Sequence, residues 1–153
     1  MKWYLFRHGY TFFSKTHIPY GPLFVHRASL LPEGRRQAKQ MGQELKSKSI
    51  DALYSSPYKR CRQTAEIVGQ IINCQVRFDD RLGEQMITSR KETFAQMVER
   101  LQAFIDDVKK TNQSSVAVCS HGWPLGILIA LLRKGSATKT DLKNPPTGEI
   151  VEI

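Results

Sequence analysis

The sequence predicts an α/β fold, a single domain with a mainly parallel central sheet and helices on both faces. Three observations lead there. Short apolar runs alternate with longer amphipathic stretches along the chain, the order of β and α units that builds a parallel sheet with covering helices. No internal repeat, linker or low-complexity segment interrupts the alternation. The length of 153 residues suffices for one sizeable core, so residues 1–153 are expected to form one domain.

The first strand is the run from Trp3 to Phe6, which delivers Arg7-His8-Gly9 at its end. From about Phe12 to Leu31 the chain reads as irregular, with Pro19, Gly21 and Pro22 set among aromatics. Pro32 to about Lys48 reads as a helix with Ala38, Met41 and Leu45 on one face. Ile50 to Ser55 is a buried strand. Pro57 is expected to open the next helix at its first position, where proline is tolerated, with Cys61, Ala65, Val68 and Ile72 as the inner stripe. Gln75 to Phe78 is a short strand. Lys91 to Lys110 is the clearest helix, because Phe94, Met97, Val98, Leu101, Ile105 and Val108 repeat at helical spacing as a core face. Val116 to Ser120 is a central strand and Pro124 to Leu132 an apolar, buried helix. Pro145-Pro146-Thr147-Gly148 then turns the chain into a last strand, Glu149 to Ile153.

Composition narrows the function classes. A hydrophobic fraction of 41% and a charged fraction of 24% are those of an ordinary soluble globular protein. No apolar stretch is long enough to span a bilayer, so no membrane partner is expected. Met1-Lys2-Trp3 runs directly into the first strand, which leaves no room for a cleavable signal. The three cysteines, Cys61, Cys74 and Cys119, are odd in number and lack metal-ligand spacing. They read as free thiols in a reducing, cytoplasmic setting. Cys119, two residues before His121, could form a Cys–His nucleophile pair, but a strand residue in that place reads as core. The formal net charge of +9 is spread over helices, as in Arg35, Arg36, Lys39, Lys46 and Lys48, without an aromatic-interleaved basic stripe. Nucleic acid is therefore not expected as a partner, whereas a positive field would draw anionic substrates.

Two of the four histidines share one local setting: His8 and His121 each end an apolar run and precede a glycine. A third run, Asp51 to Ser56, delivers Pro57-Tyr58-Lys59-Arg60 in the same manner. Ligands of α/β sheets bind outside the carboxyl ends of the strands. Three such strands would aim Arg7, His8, Arg60 and His121 at one crevice, and two imidazoles with two guanidiniums describe a pocket for a phosphoryl group.

Arg7-His8-Gly9-Tyr10-Thr11 resembles the Arg-His-Gly-x-Thr signature of the histidine phosphatase superfamily, the phosphoglycerate-mutase-like proteins. Further segments match in order. Leu31 to Ala38 resembles the start of the family's first helix, Ser55 to Ala65 its Ser-x-x-x-x-Arg-Ala-x-x-Thr-Ala block, Leu82-Gly83-Glu84 its Leu-x-Glu, and Ser120-His121-Gly122 its second histidine. The resemblance implies that His8 is the phosphorylated nucleophile and that Arg7, Arg60, His121 and Gly122 bind the phosphoryl oxygens. It also implies that Glu84 is the proton donor to the leaving oxygen. No cofactor and no metal are expected.

Departures from the family pattern concern the substrate. Tyr10 replaces a frequent Glu, Ser14 falls where many members carry a phosphate-binding Asn, and Trp123 follows the second His-Gly, where mutases carry small or polar residues. These three are the expected substrate rim, joined by the aromatic stretch that holds Phe12, Phe13, Tyr20 and Phe24. Fewer than ten residues separate Glu84 from Phe94, where many members insert a covering lid. The chain thus resembles the compact, lidless branch, with an open site able to take a phosphorylated small molecule or a phosphoprotein. The compact phosphohistidine phosphatases share the size but usually lack the acid, so Glu84 favours a phosphomonoester substrate. Two other classes stay open. One is a metal hydrolase on His8, His121 and Glu84, against which Arg7 and Arg60 speak by repelling a divalent ion. The other is a weak or inactive phosphate-binding module on the same fold.

Overall fold

The structure, a computed structural model, describes residues 1–84 and 92–153. Five strands form one sheet: β1 (Lys2–Arg7), β2 (Ala52–Ser55), β3 (Val76–Phe78), β4 (Ser115–Ser120) and β5 (Ile150–Glu152). Their spatial order is β3-β2-β4-β1-β5. The first four are mutually parallel and β5 runs antiparallel on the β1 edge. The helices are α1 (Phe12–Thr16), α2 (Pro32–Leu45), α3 (Lys59–Ile72), α4 (Phe94–Lys109) and α5 (Gly122–Lys134).

Side-chain alternation along the central strands divides the core in two. Trp3 and Leu5 of β1 and Val116 and Val118 of β4 face a cluster with Leu101, Phe104 and Ile105 of α4 and Leu125 and Leu128 of α5. Tyr4, Phe6, Ala117 and Cys119 face the opposite cluster, with Met41 and Leu45 of α2 and Ala65 and Val68 of α3. All six residues of β4 are buried, as expected of the middle strand of a sheet covered on both sides. The predicted α/β class with helices on both faces is what the structure shows. Among the described residues no helix is long and apolar enough to cross a membrane.

Local chemistry sets the element ends, and in places it differs from the sequence reading. The stretch read as irregular contains α1, whose capping box pairs Thr11 Oγ1 with the Ser14 amide and Ser14 Oγ with the Thr11 amide. Five residues are too few to show an apolar period. Pro57 does not open α3: Tyr58 is its extended N-cap and Lys59 its first residue, so Pro57 lies just outside. The helix read from Pro32 to Lys48 turns 3-10 over Lys46–Lys48. The helix α4 starts at Phe94, capped by Thr93 with Gln96, while Lys91 lies outside the described residues. The helix α5 begins at Gly122, earlier than Pro124, and ends on Gly135 at φ 73°, the left-handed conformation that glycine adopts without strain.

One backbone contact brings the exit of β1 against α2. A Cβ on Gly9 would lie 2.3 Å from the Gly34 carbonyl oxygen, and one on Gly34 would lie 2.2 Å from the Tyr10 carbonyl oxygen. Around this contact the Gly9 amide donates to Thr64 Oγ1 (3.1 Å) and the Tyr10 amide to Gln37 Oε1 (2.8 Å). Helices α3 and α2 therefore clamp the turn that follows His8. Gly34→Ala ought to destabilise the protein by about 1–3 kcal/mol, because the added methyl overlaps backbone that cannot move aside. That exceeds the gain of roughly 1 kcal/mol that Ala brings within an open helix. A melting temperature equal to or above that of the parent would contradict the packing described.

Candidate active site

The register of three neighbouring parallel strands sets the site. Arg7 of β1 pairs with Ser120 of β4, and Cys119 of β4 pairs with Ser55 of β2, so their carboxyl ends are level. The ladder continues one step past each strand: the His8 amide donates to the Ser120 carbonyl (3.2 Å) and the Ser56 amide to the Cys119 carbonyl (3.1 Å). His8 and His121 are thereby brought edge to face, with ring centroids 5.5 Å apart. Arg60, in the first turn of α3, reaches back over them.

Arg60 Nε donates to His8 Nε2 over 3.1 Å, and His8 Nδ1 bonds the Gly9 carbonyl oxygen at 2.9 Å. A carbonyl only accepts, so Nδ1 carries the proton and Nε2 presents its lone pair to the guanidinium. Arg60 also donates from Nη1 to the Val25 carbonyl, and its guanidinium stacks 4.2 Å from the centroid of Tyr20. Two buried guanidinium donors, Arg7 Nε and Arg60 Nη2, have no hydrogen-bond partner among the described residues. An unmet buried donor costs about 1–3 kcal/mol, more when charged, and an anion between the two arginines would offset that cost.

His121 Nε2 lies 2.8 Å from Ser56 Oγ, which also accepts from the Tyr58 amide at 3.3 Å. Ser56 thereby holds the His121 ring by its Nε2. Nδ1 faces Glu84, whose Oε2 is 3.9 Å away. Glu84 follows the 3-10 turn Asp80–Leu82, which extends from β3, and its side chain is 22% exposed. Burial pushes the pKa values of both histidines well below 6.5, and the nearby Arg60 and Arg7 cations push them further. Both rings are neutral near pH 7. Burial also lowers the pKa of Arg7, against the opposing pull of Glu84.

The residues expected at the site from the sequence divide into two groups. Arg7, His8, Arg60, His121 and Glu84 converge. Gly122 is also at the site, but the close approach it permits is to Asn144, whose Oδ1 would sit 1.6 Å from a Cβ there. Tyr10 and Ser14 line a cavity of about 440 Å³ together with Arg7, Tyr20 and Asn144. Ser14 commits its hydroxyl to capping α1. Trp123 does not line this cavity and stands 38% exposed in the first turn of α5. His8, Arg60 and His121 are fully buried. Tyr20, the Val25 carbonyl and Tyr58, on which His26 stacks with centroids 4.3 Å apart, close over Arg60. The shortened segment after Glu84, on which the lidless reading rests, lies outside the described residues at 85–91.

Several contributors escaped the sequence reading. Ser56 and Thr64 lie inside the quoted Ser55–Ala65 block, so a signal existed. Tyr58 lies in the same block and Gln37 in the quoted Leu31–Ala38 segment, whereas Asn144 carries no signal in the sequence alone. The thiol against His121 belongs to Cys61, 3.5 Å from Nε2. Cys119 sits in the core, and burial pushes its thiol pKa well up. Among the described residues no group of three or more His, Cys, Asp or Glu is placed to hold a metal ion. The pair His8–His121 is instead faced by guanidiniums, a donor set suited to an anion.

Stability should depend on pH through these rings. In the unfolded chain both histidines titrate near 6.5, whereas the folded chain binds their protons only at much lower pH. Stability is then full above pH 6.5 and is lost as the pH falls below it, by up to about 1.4 kcal/mol per pH unit for each ring. Asp107 and Glu152 have ordinary values of 3.8 and 4.5 and are pushed lower still, so they act below this window. Melting temperatures should decline between about pH 6.5 and 5, with a shallower decline in His8→Gln and His121→Gln. An unchanged slope in both variants would contradict the assignment.

The family model for the histidine phosphatase superfamily (branch 1) matches residues 3–89 and 85–152. Probable phosphoglycerate mutase GpmB of Salmonella choleraesuis is 37% identical over 81 residues, 53% of this chain and 36% of its own length. Phosphoserine phosphatase 1 of Hydrogenobacter thermophilus is 28% identical over 134 residues, 67% of this chain and 64% of its own length. The chain thus spans less than two thirds of either of these two relatives. The crystal structure of the alpha-ribazole phosphatase from Shigella flexneri superposes with a TM-score of 0.84 at 20% identity, covering 99% of this chain and 89% of that one. With the same fold, and with the family model matched along nearly its whole length, this chain belongs to the histidine phosphatase superfamily, branch 1.

Proposed function

We propose that the protein is a metal-independent phosphatase that hydrolyses a phosphomonoester through a phosphohistidine on His8. One observation carries this reading: His8 Nδ1 is tied to the Gly9 carbonyl, which leaves Nε2 as the nucleophilic nitrogen, and Nε2 meets Arg60, whose Nη2, like Arg7 Nε, is a buried donor without a partner among the described residues. In the first step Nε2 forms a bond to phosphorus as the bond from phosphorus to the ester oxygen breaks, and Glu84 gives that oxygen its proton. In the second step water attacks phosphorus, the P–N bond breaks, Glu84 takes the water's proton, and inorganic phosphate leaves. Arg7, Arg60 and His121 stabilise the equatorial oxygens, the pre-set donor arrangement that lowers such barriers by several kcal/mol. The Cys61 thiol and Ser56 act on His121 from behind and need not touch substrate.

The burial of His8, Arg60 and His121 favours a compact phosphorylated molecule over a bulky phosphoprotein. The names of relatives, a phosphoserine phosphatase and an alpha-ribazole phosphatase among them, support the same class. Low-dielectric enclosure also strengthens each electrostatic contact inside. A second reading, a phosphate-binding module with little turnover, draws on Tyr20, which covers Arg60, and on Ser14, whose hydroxyl is spent on a helix cap. A protein phosphohistidine phosphatase is a weaker third, because it gives Glu84 nothing to protonate.

Hydrolysis of an activated aryl phosphate separates these readings. Wild-type turnover should persist with a chelator present. It should fall at least a thousandfold in His8→Ala, in keeping with the loss of a covalent nucleophile, while the melting curve stays cooperative. Wild type that binds vanadate or phosphate but hydrolyses neither aryl nor alkyl phosphates would establish the binding module instead.

A further inference from the structure

Three consecutive carbonyls lead into Glu84, and each accepts a hydrogen bond from a side chain outside its own loop. Arg100 Nη1 donates to the Arg81 carbonyl, Ser120 Oγ to the Leu82 carbonyl at 2.7 Å, and Arg100 Nη2 to the Gly83 carbonyl at 3.0 Å. These are the carbonyls that the 3-10 turn Asp80–Leu82 leaves unmet at its end, since the turn's own bonds are those of the Leu82 and Gly83 amides to Asp79 and Asp80. The other end is held as well: Asp79 caps the turn by accepting from the Arg81 amide at 2.9 Å.

Arg100 is itself oriented. Its Nε and Nη2 grip the two carboxylate oxygens of Glu92, and the pair is largely buried, with side-chain exposures of 19% and 11%. A planar guanidinium held in this way can span two carbonyls two residues apart, which an ammonium cannot do. Ser120 immediately precedes His121 in β4 and is fully buried. The residue that anchors the Leu82 carbonyl is thus joined by one peptide bond to the histidine that Glu84 faces at 3.9 Å.

We propose that Arg100 and Ser120 are positioning residues for Glu84, fixing its carboxyl relative to His121 through the backbone carbonyls of residues 81–83. The proposal rests on Glu84 being the proton donor of the preceding section. Neither side chain touches the phosphoryl group in this scheme. Their contribution is placement, and misplacement of a catalytic group by about 1 Å costs on the order of a hundredfold in rate. In kcat/KM, which reports the steps up to phosphohistidine formation, the effect must therefore appear where the leaving oxygen needs a proton and vanish where it does not; the shared second step, in which Glu84 takes the proton of water, touches kcat on both probes.

The experiment compares kcat and KM of wild type, Glu84→Gln, Arg100→Gln, Arg100→Lys and Ser120→Ala on two probes. One is an aryl phosphate with an activated, weakly basic leaving group, and the other is an alkyl phosphate. Arg100→Gln should lower kcat/KM on the alkyl phosphate by roughly tenfold to a hundredfold, and on the aryl phosphate by less than about threefold. Ser120→Ala should show the same selectivity to a smaller extent. Arg100→Lys should not restore activity, since it keeps the charge but not the fork. Adding Arg100→Gln to Glu84→Gln should cause no further loss on the alkyl phosphate.

Equal losses in kcat/KM on both probes, or full additivity in the double variant, would overturn the positioning role and leave Arg100 a stabilising residue. If Arg100→Gln does not fold, Ser120→Ala decides, and a uniform loss there overturns the proposal. Glu84→Gln without leaving-group selectivity would instead overturn the acid role on which the proposal depends. Selectivity in Glu84→Gln with none in Arg100→Gln or Ser120→Ala overturns positioning alone.

Discussion

Arg60 donates to the imidazole of His8 with both side chains shut away from solvent, and the surrounding structure is arranged to make that contact tolerable. A buried cation costs several kcal/mol unless its charge and donors are met. The Val25 carbonyl, the faces of Tyr20 and Tyr58 and the His8 lone pair meet part of the demand. None of these is an anion. Glu84, the carboxylate nearest His121, stands at the partly exposed margin rather than against Arg60. The interior at this point therefore stays positive, keeps both histidines neutral, and is most favourably completed by a negative group bound from outside.

That arrangement depends on backbone more than on side chains. Strands β1, β4 and β2 lie side by side and level, so three different loops end within reach of one another. A slip of one residue in any pairing would turn each inward group to the opposite face. The turn after His8 is then held by Gly34, Thr64 and Gln37, so α2 and α3 both fix the direction of the nucleophile candidate. The same two helices bury the core face formed by Tyr4, Phe6, Ala117 and Cys119. Packing of one half of the core and aim of the site are thus one mechanical problem.

The cover over the site is joined to the same frame. Tyr20 stacks on Arg60 and its hydroxyl lies 2.5 Å from Thr11 Oγ1, the residue that caps α1. Phe13 packs against both Tyr20 and Phe24, with ring centroids 4.8 and 5.3 Å apart. The aromatic stretch is therefore neither loose rim nor ordinary loop packing alone. It excludes water from the arginine while leaving the cavity beside Arg7 open to a ligand. On the opposite side the Glu84 loop is held by its own carbonyls, so His8 and Glu84, the proposed nucleophile and acid, are supported by separate elements.

The sequence by itself determined the fold class, the order of the strands and helices, and the four cationic or imidazole groups at the strand ends. It could do so because apolar periodicity and the Arg-His-Gly, Ser-His-Gly and Pro-Tyr-Lys-Arg signals are local, written in neighbouring residues. Only the tertiary structure decided that His8 is buried, that Tyr20 covers Arg60, and that Trp123 stands apart from the cavity. It also decided that Cys61 rather than Cys119 touches His121, and that Arg100 reaches back to the carbonyls before Glu84. Each of these is a contact between residues distant along the chain, set by strand register and helix packing, and no spacing pattern records it. Short elements such as α1 were hidden for a related reason: a capping box can fold five residues that carry no periodic signal.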